Sequence, residues 1–215
     1  MIRAVIFDMD GLLVDSEVYW EEARRDYCRD QGCDWRPEDE LSVKGNNSRE
    51  WAEAIRNRCG LKRELQEIID AVTARMRDLY HRHLPLLPGA TETVRALAEQ
   101  YPLAIASSSP PSLIEFAMSR AGLLDRFKVI VSADEVGWGK PAPDVFLVAA
   151  ERLGFPPETC AVFEDSSAGI QAAHAAHMFV IAIPNPHYPP SNDALKKADI
   201  VLASLLDFRP EMLQR

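Results

Sequence analysis

Six short apolar runs, most of them followed by a stretch of helical periodicity, limit the fold of this chain more than any other feature. They predict strands at residues 2–7, 103–106, 129–132, 161–163, 179–183 and 200–202. Between them, residues 90–100, 112–121, 142–153 and 168–176 carry apolar side chains at helical intervals. The runs are nearly continuous in apolar character, so both faces of each strand are expected to be buried. Short buried strands alternating with amphipathic helices specify the α/β class, a doubly wound parallel sheet covered on both sides.

Residues 18–83 have a different texture. Strand-like runs vanish, and apolar residues recur at helical spacing among many charges. Tyr19, Ala23 and Tyr27 share one face, as do Trp51, Ala52, Ile55 and Cys59, then Leu65, Ile68, Ile69 and Val72. Four or so helices are expected, inserted after the first strand, one of them starting at Asn47 or Ser48 ahead of Arg49-Glu50-Trp51. The run Leu84-Pro85-Leu86-Leu87-Pro88-Gly89 marks the return to the sheet. The expected division is residues 1–15 and 86–215 as the core, with residues 16–85 as a helical insert.

Chemistry is expected where the strands end, because parallel sheets bind ligands at the carboxyl edge of their strands. The first strand runs into Asp8-Met9-Asp10-Gly11, two acids followed by a glycine that can turn the chain away. Strand 103–106 ends in Ser107-Ser108-Ser109 and strand 161–163 in Glu164-Asp165-Ser166; between them lies Gly139-Lys140-Pro141. Each of these has a plain reading, as a turn, a helix cap, a surface lysine or an acidic loop. Together they suit phosphoryl transfer. Asp8 and Asp165 can hold a hard cation such as Mg²⁺, Lys140 and Ser107 can engage phosphate oxygens, and a carboxylate can serve as nucleophile. Gly139-Lys140 is not a phosphate-binding P-loop, because Pro141 follows the lysine and the earlier glycine is missing.

Composition removes other classes. The 215 residues are 47% hydrophobic with a formal charge of −9, which argues against nonspecific binding of nucleic acid or anionic membranes. No apolar stretch approaches spanning length, and no basic leader precedes the first strand, so a cytoplasmic protein is expected. The oligomeric expectation is a monomer or weak homodimer. Cys28, Cys33, Cys59 and Cys160 lack Cys-x-x-Cys spacing. A zinc site from Cys28, Cys33 and histidines such as His81 and His83 is weighed against free thiols in a reducing compartment, and free thiols are preferred. His174, His177 and His187 are read as structural or solvated.

With Asp8-Met9-Asp10-Gly11, Ser107, Lys140-Pro141 and Glu164-Asp165-Ser166-Ser167-Ala168-Gly169 in order along nearly the whole chain, the sequence resembles the haloacid dehalogenase superfamily. The similar branch holds β-phosphoglucomutase and small sugar-phosphate phosphatases. The resemblance implies a Rossmann-like core and a mobile helical cap hinged near residues 14–17 and 83–88. It implies Asp8 as nucleophile forming an aspartyl phosphate, Asp10 as general acid/base, and Ser107, Ser108 and Lys140 as phosphoryl-binding groups. Mg²⁺ is implied as cofactor, held by Asp8, the Asp10 carbonyl, Glu164 and Asp165. Lys44 and Arg49 in Lys44-Gly45-Asn46-Asn47-Ser48-Arg49 are implied as substrate-binding residues of the cap.

Two positions depart from the mutase pattern. Pro110-Pro111 stand where the mutase has a lysine and an asparagine, and Met76 stands where it has a second basic cap residue. The expectation is therefore a Mg²⁺-dependent phosphatase acting on a small phosphorylated metabolite, with a phosphomutase as the alternative. A noncatalytic phosphate-binding domain and a dehalogenase are more distant readings. An acid at position 10 favours phosphate chemistry over carbon–halogen cleavage.

Overall fold

A computed structural model describes residues 1–214. Strand β1 (Ala4–Phe7) is followed by four helices, α1 (Glu17–Asp30), α2 (Pro37–Val43), α3 (Ser48–Cys59) and α4 (Leu65–Arg82). The alternating part runs α5 (Ala90–Ala98), β2 (Leu103–Ser107), α6 (Pro111–Ala121), β3 (Phe127–Ser132), α7 (Asp144–Leu153), β4 (Cys160–Glu164), α8 (Ser167–Ala175), β5 (Phe179–Ala182), α9 (Asn192–Leu195) and β6 (Ile200–Val201). All strand pairs are parallel in the order β3-β2-β1-β4-β5-β6. This is a Rossmann-like α/β sheet with a helical cap inserted after β1. The order reverses direction at β1, so a crevice opens beyond the carboxyl ends of β1, β2 and β4.

The strands are buried on both faces, and the two faces belong to different cores. Val5 and Phe7 of β1 point with Ile105, Ala161 and Phe163 toward α5 and α6. Ala4 and Ile6 point with Ala104, Ala106 and Val162 toward α7 and α8. Side chains alternate across a strand, so one apolar run supplies both cores. The first core continues into the insert, where Trp51, Ile55, Ile68, Val72, Met76 and Tyr80 are buried. Met9, Leu12 and Leu13, also buried, lie in the loop between sheet and insert. One apolar cluster therefore spans sheet and helices.

Helix starts follow local chemistry. Asn47 caps α3 by accepting from the Glu50 amide at 3.0 Å, while Glu50 Oε2 accepts from the Asn47 amide at 3.0 Å. Helix α7 begins at Asp144 rather than at the predicted residue 142, because a residue preceding proline is disfavoured in helical geometry and Pro143 follows Ala142.

The expectation of four free thiols is corrected. Cys33, just after α1, and Cys59, at the end of α3, form a disulfide across 26 residues of sequence. Only Cys28 and Cys160 are free, and both are buried.

Phe163 stacks on Phe7 at 4.8 Å and meets Phe208 edge-on at 4.9 Å. Phe163→Ala is expected to cost about 3–5 kcal/mol in urea unfolding, the range for a buried aromatic truncated in a close-packed core. A loss below about 1 kcal/mol would show that the stack contributes little.

Candidate active site

The first strand stops at Phe7, and the chain turns at once. The amides of Leu13 and Val14 both donate to the Met9 carbonyl, at 2.9 and 3.0 Å. Gly11 sits inside this turn at φ 78°, and a Cβ there would lie 2.2 Å from Asp165 Oδ2. Glycine is required twice over, by the left-handed backbone and by the closeness of the acid. The turn places Asp8 and Asp10 on one cavity of about 390 Å³, which Lys140 and Asp165 also line.

Lys140 organises the floor. Its ammonium donates to Asp8 Oδ1 at 2.8 Å, to Glu164 Oε1 at 2.7 Å and to the Ala106 carbonyl at 3.1 Å. Burial alone would lower the lysine's pKa, but the adjoining Asp8 and Glu164 carboxylates outweigh it and hold it above the ordinary value. Glu164 ends β4 and is fully engaged. Its Oε2 accepts from the amides of Asp165 and Ser166, both at 2.9 Å, and from Ser166 Oγ at 3.0 Å. A Cβ at Gly169 would lie 1.6 Å from Glu164 Oε1, so the first turn of α8 closes on this carboxylate only because residue 169 has no side chain.

Asp10 is held from four directions. Ser107 Oγ and Ser109 Oγ donate to its Oδ2 at 2.9 and 2.8 Å, and Ser16 Oγ and Trp20 Nε1 donate to its Oδ1 at 2.7 and 3.1 Å. Trp20 belongs to α1, so the insert contacts the catalytic candidate directly. Ser108 Oγ, in turn, donates to the Gly45 carbonyl at 3.2 Å, tying the loop after β2 to the insert.

The acids fit a hard cation. One oxygen each from Asp8, Glu164 and Asp165 lies within 4.8 Å of the others, and Asp165 Oδ1 is buried without a hydrogen-bond partner. Burial first, opposed by Lys140 and reinforced by Glu164 and Asp10, pushes Asp8 up to about 8. Burial, with Glu164 and Asp8 beside it, also drives Asp165 well above the usual carboxylate range. These groups resist ionising together, and a divalent ion bound by carboxylate oxygens relieves that resistance. Glu164's oxygens already carry Lys140 and two backbone amides, so Asp8 and Asp165 are the acids with coordinating capacity to spare.

The insert closes the cavity with Glu17 and Lys44, and Tyr188 faces them from the loop after β5. Lys44 Nζ lies 3.2 Å from Glu17 Oε2 and 2.8 Å from the centre of the Tyr188 ring. The ammonium is thus engaged by one carboxylate and one aromatic face at the cavity wall. Burial lowers the pKa of Lys44, against the pull of Glu17, and raises that of Glu17, against the pull of Lys44.

Of the predicted residues, Asp8, Asp10, Lys44, Ser108, Lys140 and Asp165 line this cavity; Ser107 and Glu164 lie behind it, bonded to Asp10 and Lys140. Arg49 does not line this cavity. It is exposed on α3 and lines a separate groove of about 1100 Å³ facing Pro110, Pro111 and Asp134. The Ser48 amide donates to Asp134 Oδ1 at 2.8 Å, which fixes the start of α3 on that side. Glu17, Tyr188, Trp20 and Ser109 were not predicted as site residues. Ser109 alone had a local signal, as the third hydroxyl of its run.

The chain matches the haloacid dehalogenase-like hydrolase family over residues 2–177. It is 36% identical over 211 residues to hexitol phosphatase B of Escherichia coli K12, covering 96% of this chain and 94% of that protein. It is 37% identical over 213 residues to a Drosophila melanogaster protein described as a probable pseudouridine-5'-phosphatase, covering 96% and 91%. The crystal structure of β-phosphoglucomutase from Clostridium difficile superposes with a TM-score of 0.84 at 26% identity, covering 100% of this chain and 96% of that one.

A carboxyl whose folded-state pKa is raised contributes stability below its unfolded value and loses it as pH rises through the folded one. With Asp8 moved from 3.8 to about 8, chelator-treated protein is expected to lose stability across that window. Added Mg²⁺ should raise Tm, by an increment that grows from about pH 5 to about pH 8. Thermal melts at both pH values check this; an increment that is flat or shrinks would contradict the cation fit. Over at least four-fifths of its length, and with its acids arranged as described, the chain belongs to the haloacid dehalogenase-like hydrolases.

Proposed function

We propose that this enzyme is a Mg²⁺-dependent phosphatase that hydrolyses a small phosphorylated metabolite, a sugar or polyol monophosphate, by way of a phosphoryl group carried on Asp8. The observation that carries the reading is the ion-pair chain Asp8–Lys140–Glu164 beside Asp165 and Asp10 at the closed end of one cavity. In the first step Asp8 attacks phosphorus while Asp10 gives a proton to the departing oxygen. In the second Asp10 takes a proton from the water that attacks the aspartyl phosphate. Lys140, Ser107 and Ser108 are the donors for the phosphate oxygens. A divalent ion held by Asp8, the Asp10 carbonyl and Asp165, with Glu164 behind them, would neutralise charge between the anionic nucleophile and the anionic substrate.

Three features favour hydrolysis over mutase chemistry. The two relatives described above are named as phosphatases, one of them as probable. Lys44 is the only basic side chain the insert brings to the cavity among the described residues, and Glu17 lies beside it, a poor setting for a second phosphate. Met76 is fully buried in the core of the insert. The likeness to β-phosphoglucomutase keeps the mutase as the second reading. The paired Glu17 and Lys44 offer the cavity an acceptor and a donor with little net charge, which suits a neutral, hydroxyl-bearing leaving group. The proposed division is a core of residues 1–15 and 86–215 and a cap of residues 16–85 whose movement admits substrate. We further propose a cytoplasmic monomer or weak homodimer that engages neither nucleic acid nor membranes, which the net charge supports. No helix of the described residues is long and apolar enough to cross a membrane.

The test is phosphate release from a panel of hexose, pentose and hexitol monophosphates with Mg²⁺, beside β-glucose 1-phosphate primed with its bisphosphate. Phosphate release is expected; glucose 6-phosphate without it would make the enzyme a mutase. Asp8→Asn should reduce turnover to background, and Asp10→Asn should lower kcat by roughly 10²–10⁴-fold on sugar phosphates. On an aryl phosphate, whose leaving group needs little protonation, Asp10→Asn should spare the first, phosphoryl-transfer step and leave turnover limited by hydrolysis of the intermediate. Lys44→Ala should raise KM for a sugar phosphate by about 10-fold or more, the scale of a lost charged hydrogen bond, and leave KM for an aryl phosphate nearly unchanged. Equal effects on both would remove Lys44 from specificity.

A further inference from the structure

The far end of the insert carries sulfur chemistry that phosphate hydrolysis does not use. The Sγ atoms of Cys28, Cys33 and Cys59 all lie within 4.8 Å of one another. Cys28 is in the last turn of α1, Cys33 follows that helix after a reversal at Gly32, and Cys59 is the last residue of α3. The Cys33 amide donates to the Cys28 carbonyl at 2.9 Å, which holds these two residues together whatever their sulfurs do. The third candidate ligand is thus Cys59, and no histidine joins the cluster among the described residues.

We propose that, when the Cys33–Cys59 disulfide is reduced, these three cysteines form a binding site for a thiophilic d¹⁰ cation of the Zn²⁺, Cd²⁺ or Cu⁺ class. The disulfide uses two of the sulfurs and leaves Cys28, a buried thiol, with no role in it. Attack by Cys28 on the disulfide is disfavoured, because burial and the nearby Asp39 and Glu40 push its thiol up to about 12, leaving little thiolate. A bound metal deprotonates its thiol ligands outright, so that barrier does not apply to it. Tetrahedral Zn–S bonds of about 2.3 Å put sulfurs about 3.8 Å apart, a spacing the three can reach with small side-chain movements. The site also lies at the carbonyl ends of α1 and α3, where a cation is favoured. Arg24 and Arg58 near Cys28 are already paired with Glu40 and Asp39, so the charge of the thiolates is met by the cation itself.

The steps balance. A dithiol reductant gives two electrons and two protons to the Cys33–Cys59 bond and becomes a disulfide itself. The cation then displaces three protons from the three thiols, and its remaining position is open to water. Cys33 and Cys59 are partly exposed and Cys28 is not, so the ion enters from the surface onto the two bridging sulfurs.

The test is a Cd²⁺ titration of full-length protein reduced with a phosphine and desalted without oxygen, with Mg²⁺ in excess to hold the carboxylate site. One equivalent is expected to bind, with a thiolate-to-cadmium charge-transfer band of three-thiolate intensity, and the disulfide form should show no band. Cys28→Ser should weaken binding by at least about tenfold and drop the band to two-thiolate intensity, whereas Cys160→Ser should change neither. Reduced protein without the band, a band of two-thiolate intensity, or equal binding by the disulfide form would overturn the proposal. The band intensity of the unmutated protein decides the outcome if Cys28→Ser fails to fold. Because the readout is charge transfer at sulfur, the result is independent of whether the enzyme is a phosphatase.

Discussion

Lys140 is the interaction on which the rest of the site depends. Four acids, Asp8, Asp10, Glu164 and Asp165, stand at the ends of β1 and β4, three of them buried. Left alone, such a group would repel and disfavour its own ionisation. One ammonium, 4% exposed, joins Asp8 to Glu164 and is itself secured to the backbone of β2 through Ala106. It thereby links three neighbouring strands at their carboxyl edge. What it does not neutralise is Asp165 and the second oxygen of Asp8, and those groups could hold a divalent cation. The ion-pair chain and the fit to a divalent ion are two consequences of the same electrostatic deficit.

The insert is coupled to this floor through Asp10, for which the role of giving and taking a proton is proposed. Asp10 accepts from Ser107 and Ser109 on the sheet side and from Ser16 and Trp20 on the insert side. Its orientation therefore depends on the insert being seated. The apolar cluster running from Phe7 through Leu13 to Trp51 and Tyr80 holds the insert in that place. If the insert moves as the proposed cap, opening would take Ser16 and Trp20 from Asp10 and admit water, and closing would restore them. The far end of the insert is joined separately, by the Cys33–Cys59 disulfide between the ends of α1 and α3.

The strands and the acids at their ends were legible in the sequence because both are local. An apolar run of four to six residues reports burial, and the residues that follow it report what the sheet edge presents. The cap of α3 was legible for the same reason, since Asn47 and Glu50 satisfy each other three residues apart. Arg49 was not, because its direction depends on how α3 is anchored, and the contact from the Ser48 amide to Asp134 spans 86 residues. The Cys33–Cys59 disulfide was hidden likewise, since helix periodicity does not say that the ends of α1 and α3 meet. Glu17 and Tyr188 reach the cavity only through the joint placement of α1 and the loop after β5. Serine 107 was read as a phosphate ligand from its position, but its bond to Asp10 required the turn at Gly11 to be known.

The measurement that tests this account most directly is intact and peptide mass analysis of Asp10→Asn protein mixed with Mg²⁺ and an aryl phosphate. That substrate leaves without help from residue 10, whereas water attack on the intermediate still needs the base. The account predicts one added phosphoryl group, borne by Asp8 and lost slowly. Phosphate release without any adduct, or an adduct on another side chain, would contradict it.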